Sequence, residues 1–257
     1  MIDGQCLDEA AGPAPVWYVD DDHQNAHLLN YFALATSFSP MHGPVPDEPG
    51  HGNLGLDLLL IPPLSCDRRL VLSRTKTEDT NRTPVAPRPR LGFTLPRLGP
   101  VAIYGGLGYV PPVTLFGTRN VIASGEIGVG LPLESGLAFG VRYHYTLLKT
   151  VADIATAFEI GGPAVDDFYS GSTFGADALA GYDAGPIDPY FSVGFTDVST
   201  FFYIGDDGVV TNNPFPYFGL TGSLGAQVRF GRFDGAAEFY AAPGVLYTGR
   251  LRLAVAI

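Results

Sequence analysis

Between Thr118 and Lys149 the side chains alternate in character, and this alternation limits the fold more than any other stretch. Two arms, Asn120–Leu131 and Leu137–Leu147, flank a turn centred on Glu134. Successive residues of a strand point to opposite faces. One face of the second arm carries Leu137, Phe139, Val141, Tyr143, Tyr145 and Leu147, and the other carries Ala138, Gly140, Arg142, His144 and Thr146. In the first arm Val121, Ala123, Ile127, Val129 and Leu131 oppose Asn120, Ser124, Glu126, Gly128 and Gly130. A soluble sheet alternates too. An apolar face ending in aromatics, a second face of small and charged residues, and arms of about ten residues together make the pattern of a membrane-crossing barrel.

Composition agrees with that reading. Charged residues make up 16% of the chain, aromatics reach 12%, and there are 33 glycines. So little charge is unusual for a cytoplasmic enzyme and suits a wall whose outer side needs none. No run approaches the roughly 18 apolar residues of a membrane helix, so spanning falls to strands. The net charge of −11 excludes nucleic acid as a partner, since that requires a basic footprint. Acids gather at Asp20–Asp22, at Asp166 and Asp167, and at Asp206 and Asp207. They read as solvated loops, with divalent-cation binding as the rival. No metal site and no cofactor is expected. The start, Met1-Ile-Asp, lacks a signal peptide, which in an exported barrel has been removed.

Residues 1–50 differ from the remainder and form an N-terminal segment, expected on the periplasmic side. Asp20–Asp22 precede an apolar run and offer capping carboxylates, which predicts a short helix from about His23 to Thr36; a strand is the rival reading. Residues 51–257 form the barrel. Strands are expected at 53–61, 88–95, 101–109, the two arms above, 172–182, 189–201, 218–230, 233–242 and 246–257, with Pro111-Pro112 ending the third of them. That makes an antiparallel up-and-down β-barrel of ten strands, or twelve if the N-terminal segment contributes. Connections alternate broadly between tight and long, and Gly231-Arg232 suits a type II′ turn. Short turns belong to the periplasmic end and long loops to the outside, so both termini are periplasmic. Cys6 then lies on one side and Cys66 on the other, about 30 Å apart. A disulfide needs Cα atoms within about 7 Å, so the two are not expected to be joined.

The closing strand, Tyr247-Thr-Gly-Arg-Leu-Arg-Leu-Ala-Val-Ala-Ile257, alternates to its end after a glycine. In this the chain resembles the small barrels of the Gram-negative bacterial outer membrane over roughly residues 52–257, although it ends in Ile257 where that class usually has an aromatic. The resemblance implies an outer-membrane location, contact with its lipids, and recognition of the closing strand by the barrel-insertion machinery. It also leaves room for a periplasmic or envelope protein as partner. Such barrels serve as anchors, pores or lipid enzymes, so architecture alone does not choose a function.

The inward faces carry a charge network: Asp57, Arg88, Arg90, Glu126, Arg142, His144, Asp177, Arg229, Asp234, Glu238, Arg250 and Arg252. Turn geometry sets Arg229 against Asp234, Glu238 against Arg250, Glu126 against Arg142 and Ser124 against His144. The signs nearly balance, whereas an ion-selective pore displays an excess of one sign. A ten-strand lumen crossed by such pairs is narrow or closed. A structural or anchoring role in the envelope is therefore the first expectation, with a narrow pore for ions or small solutes second. A lipid hydrolase built on His144 and Ser124 comes third. In the barrel lipases this pair faces lipid, here both face the lumen, and no third member orients the histidine; no catalytic residue is expected. Tyr203, Asp206 and Asp207, in a long loop, are candidates for recognition at the outer mouth.

Overall fold

The computed structural model describes residues 2, 4–71, 74, 76–77, 83–96, 99–152, 154, 165–205 and 208–257. Among them ten antiparallel strands close into a barrel: β1 (Gly52–Leu60), β2 (Val85–Thr94), β3 (Ala102–Leu115), β4 (Thr118–Pro132), β5 (Leu137–Ala152), β6 (Asp167–Tyr182), β7 (Ile187–Ile204), β8 (Phe218–Phe230), β9 (Phe233–Ala242) and β10 (Leu246–Ala256). Each pairs with its neighbours in sequence, and β10 returns to β1 with Asp57 opposite Arg252. Closure pairs the first strand with the last, so none of the ten is a free edge strand, which suits a spanning sheet where no water can pair with backbone groups.

Alternation places the two faces as expected. Leu54, Leu56, Leu107, Ile127, Val141, Phe195 and Leu253 stand exposed on the outside. Asp57, Arg88, Glu126, Arg142, Glu238 and Arg250 lie buried inside. The outward positions left bare in the isolated molecule are the apolar band that lipid covers. At one end the connections are tight, as at Gly231, which takes φ 60° and lets Phe230 pair with Phe233. The other end carries the long connections 61–84, 153–166 and 205–217.

Strand β3 continues beyond Pro111-Pro112, which the sequence suggested would end it. The pairing with β4 absorbs them in a bulge between Val110 and Val113, and β2 makes no ladder bonds to this part of β3. A proline is tolerated where no neighbour needs its missing N–H.

The described residues also include two short helices, α1 (Leu7–Ala11) and α3 (Cys66–Arg69), and one longer helix, α2 (Asp21–Ala35). A small two-stranded sheet joins Leu70–Val71 with Lys76–Thr77, and a short strand, Val209–Asn212, pairs back onto the end of β7. Asp20 caps α2 by accepting a hydrogen bond from the His23 N–H at 2.9 Å. Helix α2 is buried on most of its circumference, and its buried polar residues are bonded: Asn30 donates to the Phe215 carbonyl at 3.0 Å and Gln24 to the Arg68 carbonyl. Tyr31, Leu34 and Ala35 pack on Val198, Tyr240 and Leu246, while Leu29 and Phe32 pack with Val110, Ile122, Leu148 and Tyr169. These partners lie toward the long-loop end, so α2 sits in that mouth of the barrel. The expected placement of the N-terminal helix at the short-turn end does not hold. Cys6 and Cys66 are joined in a disulfide with Cα atoms 5.3 Å apart, which corrects the expectation that they lie a membrane apart. The reason is that the N-terminal segment starts at the long-loop end, beside the first long connection, and reaches β1 only by passing through the barrel.

Candidate functional site

That passage is the central feature of the interior. After α2 the chain forms no regular structure from Ser37 until β1, yet every residue from Ala33 to Pro44 is buried. A buried segment without a ladder must send its backbone groups elsewhere. Here they go to the inward arginines. Arg88 donates to the Thr36 carbonyl at 2.9 Å, Arg250 to Ser37 at 2.8 Å, Arg142 to Phe38 at 2.8 Å and Arg90 to Ser39 at 3.1 Å. Four guanidinium groups thus hold four successive carbonyls. The Phe38 ring lies under two of them, 4.6 Å from Arg88 and 4.2 Å from Arg90, in cation–π contact. Lower down, the Met41 N–H donates to Glu238 at 3.0 Å. His42 meets Glu126 at 3.1 Å, and Gln227 donates to the Pro46 carbonyl at 3.3 Å. At the short-turn end the Asn53 amide donates to Asp47 at 2.7 Å.

The same arginines are neutralised by wall carboxylates. Arg88 reaches Asp57 at 3.2 Å, and Arg90 reaches Asp57 at 3.5 Å and also Glu126. Arg142 binds Glu126 at 2.6 Å and Asp177 at 2.7 Å, while His144 stands 3.5 Å from Asp177. Arg252 pairs with Asp234 at 2.8 Å. The network is continuous from Arg88 to His144, and its members need each other because an unpaired buried charge is costly.

Room for the segment comes from glycines. A Cβ at Gly130 would collide with the Pro44 carbonyl, at Gly181 it would stand 2.7 Å from the Pro44 ring, and at Gly108 2.9 Å from the Phe38 ring. These wall positions have small residues where the segment passes.

Residue by residue, the expected pairs fare differently. Glu126 lies opposite His144 and Arg142 opposite Gly128, because Gly136 at φ 84° makes a three-residue turn centred on Ser135 instead of Glu134. Arg142 still reaches Glu126 along the diagonal. Ser124 faces Thr146 and is approached by Arg88 at 3.4 Å, not by His144. Glu238 and Arg250 are directly opposed, but each turns to the threaded segment. Arg229 opposes Asp234 in register, yet it lies exposed at the rim and pairs with Asp188 at 3.0 Å. Tyr203 sits at the end of β7, part exposed; Asp206 and Asp207 lie outside the described residues. Among the described residues no three of His, Cys, Asp and Glu gather as ligands for a metal ion. Sequence reasoning missed the segment itself. Its one signal was the row of inward arginines beside glycine-rich wall positions.

Beneath α2, at the long-loop end, an apolar cavity of about 80 Å³ lies between the helix and strands β2 to β6. Phe32, Ala86, Pro87, Val113, Ile122, Leu148 and Tyr169 line it.

A closed antiparallel barrel with an apolar exterior, a charge-paired interior and a chain segment filling its lumen defines the architecture of a bacterial outer-membrane β-barrel. The chain has the fold of that class. No family model matches the chain, and no curated protein resembles it in sequence. Among solved structures it is similar to the translocator domain of the autotransporter NalP from Neisseria meningitidis, at 12% identity and TM-score 0.38 over 80% of this chain and 86% of that one. Another is an outer membrane channel from Pseudomonas putida F1, at 11% identity and TM-score 0.35 over 86% and 96%. A third is CdiB from Acinetobacter baumannii, at 12% identity and TM-score 0.36; the match covers 79% of this chain and about a third, 34%, of that protein. The class assignment rests on the barrel's own geometry.

Proposed function

We propose that this barrel is a narrow channel for small solutes, held closed by its own N-terminal segment. One observation carries the reading: the wall is built around an occupant. A barrel that serves only as an anchor can fill its interior with its own side chains, as small barrels do. This one instead has glycines at Gly108, Gly130, Gly140 and Gly181 where Phe38 and Pro44 pass, and directs arginines at the segment's carbonyls. The occupant is held by hydrogen bonds and ion pairs, which water can replace when it shifts. By the rule of short periplasmic turns and long outer loops, α2 and the Cys6–Cys66 bond face outward and β1 begins at the periplasmic side. The charge pairs are read as the plug's holder, and the near balance of sign favours no ion species.

Planar-bilayer conductance of the purified full chain tests this. The wild type conducts weakly or not at all, and Gly130→Val, which drives a side chain into Pro44, produces discrete open steps. A large steady wild-type conductance would sink the reading. So would silence in a folded Gly130→Val barrel whose segment has become accessible to added protease, and that result would favour the anchoring role.

A further inference from the structure

Strands β2 and β3 are bonded along only part of their length. Their ladder runs from Thr94 opposite Tyr104 to Arg90 opposite Gly108, and stops there. Above it, Val85–Pro89 pair only with β1, and the upper half of β3 pairs only with β4. The edges facing each other across the gap carry Pro87 and Pro89 on one side and Pro111 and Pro112 on the other. Proline has no N–H to donate, so these edges are not built to zip together. Toward the loops the hydroxyl of Thr83, just before β2, is hydrogen-bonded at 3.2 Å to that of Thr118, at the start of β4. The result is a window in the wall, bounded below by the last ladder pair and above by two threonines.

The apolar cavity lies directly behind the window. Ala86, Pro87 and Val113 belong both to its lining and to the window's edges. On the outer surface the window is flanked by exposed Leu56 and Leu60 on β1 and by exposed Tyr109 on β3, so the apolar band that meets lipid continues through it into the cavity. The polar groups of the lining are already bonded within the protein. Asn120 donates to Thr118 and accepts from Thr150, the Tyr169 hydroxyl donates to the Leu29 carbonyl, and Thr36 donates to its own helix. Among the described residues, no polar side chain of the lining is left over to hold a charged ligand.

We infer that this cavity is a binding site for a linear alkyl chain, which enters sideways from the membrane through the window between β2 and β3. Size selects the chain over the ring: about 80 Å³ is well below the roughly 150 Å³ of an apolar cavity that takes benzene, while the end of an alkyl chain fits with its remainder lying in the window. The inference rests on the channel reading only in naming the solute class; the site itself stands without it.

The test uses the full chain in nanodiscs of dimyristoylphosphatidylcholine, with decane bearing a terminal diazirine, irradiated and mapped by peptide mass spectrometry. Adducts are expected inside, on Phe32, Ile122 and Leu148, as well as on the outer band. Ala86→Trp, which fills the cavity, lowers the inner adducts at least tenfold and leaves those on exposed Leu220 unchanged. If that variant loses the heat-modifiable mobility of a folded barrel, Ile122→Trp replaces it. A second arm places the diazirine at the end of a phospholipid acyl tail. Inner labelling by the free alkane or by the lipid tail supports the site and tells which source fills it. Adducts confined to the outer band in both arms, or inner adducts undiminished in a folded, filled variant, overturn the inference. Conductance plays no part in this readout, so failure here and failure of the channel reading are told apart.

Discussion

Cys6 is bonded to Cys66 across 60 residues of sequence, and the ring so closed contains α2, the plug and β1. In the chain-entropy account a loop of that length is worth about 4 kcal/mol. Cys6→Ser is expected to leave the barrel folded while residues 4–35 exchange amide hydrogens faster and become open to protease. Hydrogen exchange read by mass spectrometry, with and without the substitution, decides this; equal protection in both would show that packing alone seats the cap.

Glu126 touches Arg90, Arg142 and His42 in the buried interior, whereas Glu134 lies exposed in a turn. Removing one partner of a buried ionic network costs about 3–5 kcal/mol, and an exposed turn change stays within about 0.5 kcal/mol. Glu126→Gln therefore lowers the midpoint of heat-modifiable mobility clearly, and Glu134→Gln barely moves it. Comparable midpoints would mean the network is not what steadies the wall.

Gly130 and Gly235 offer a matched pair of wall glycines. At Gly130 an added side chain meets the Pro44 carbonyl; at Gly235 nothing stands nearer than 3.7 Å. Valine at the first is expected to expel the plug and to make a cysteine placed at position 44 reactive to a water-soluble maleimide. Valine at the second leaves position 44 protected.

The outer band sets a third contrast. Val141 and Ile127 are exposed among apolar neighbours, and arginine at either costs about 2–4 kcal/mol near the bilayer midplane. Thr146→Ser, on the buried inner face, is mild. Refolding equilibria in lipid vesicles separate the two, and equal tolerance would reverse the assignment of the faces.

His27 supplies a dependence on pH. Burial, aided by neighbouring Arg68, pushes its pKa down to about 4, against about 6.5 when free. The undocked helix therefore binds more protons in that interval, and docking weakens as pH falls from about 6.5 toward 4. Protection of α2 amides should drop between pH 7 and pH 5 in the wild type and hold steadier in His27→Gln. A wild-type helix equally protected at both values would remove the histidine from the account.

The wall was legible because lipid and lumen impose opposite chemistries on alternate residues, so Val141 beside Arg142 reveals both faces at once. Shifting a turn's centre by one residue, from Glu134 to Ser135, moved the register by two and left every face unchanged. The plug was not legible. Its hold on the barrel runs through the carbonyls of Thr36 to Ser39, which every sequence possesses, and a segment that follows no ladder leaves no period to read. Helix α2 itself was legible, because the carboxylates of Asp20–Asp22 stand before its apolar run; its seat in the long-loop mouth was not, since that depends on where the chain goes after it. The arginines at 88, 90 and 250 pointed inward in the sequence, but what they bind came from a distant part of the chain.

The threaded segment is fastened at both ends of the tube it fills. At the short-turn end it runs without interruption into β1, and at the long-loop end it broadens into α2, which is stitched to the first long connection. A cord knotted at one end and sewn to the rim at the other cannot be drawn out lengthwise, so a pull from the short-turn end would have to drag a 15-residue helix through the lumen or tear β1 from the wall. The only slack left to it is sideways, over a few residues around Phe38 and Pro44, and force applied along its axis would tighten its hold.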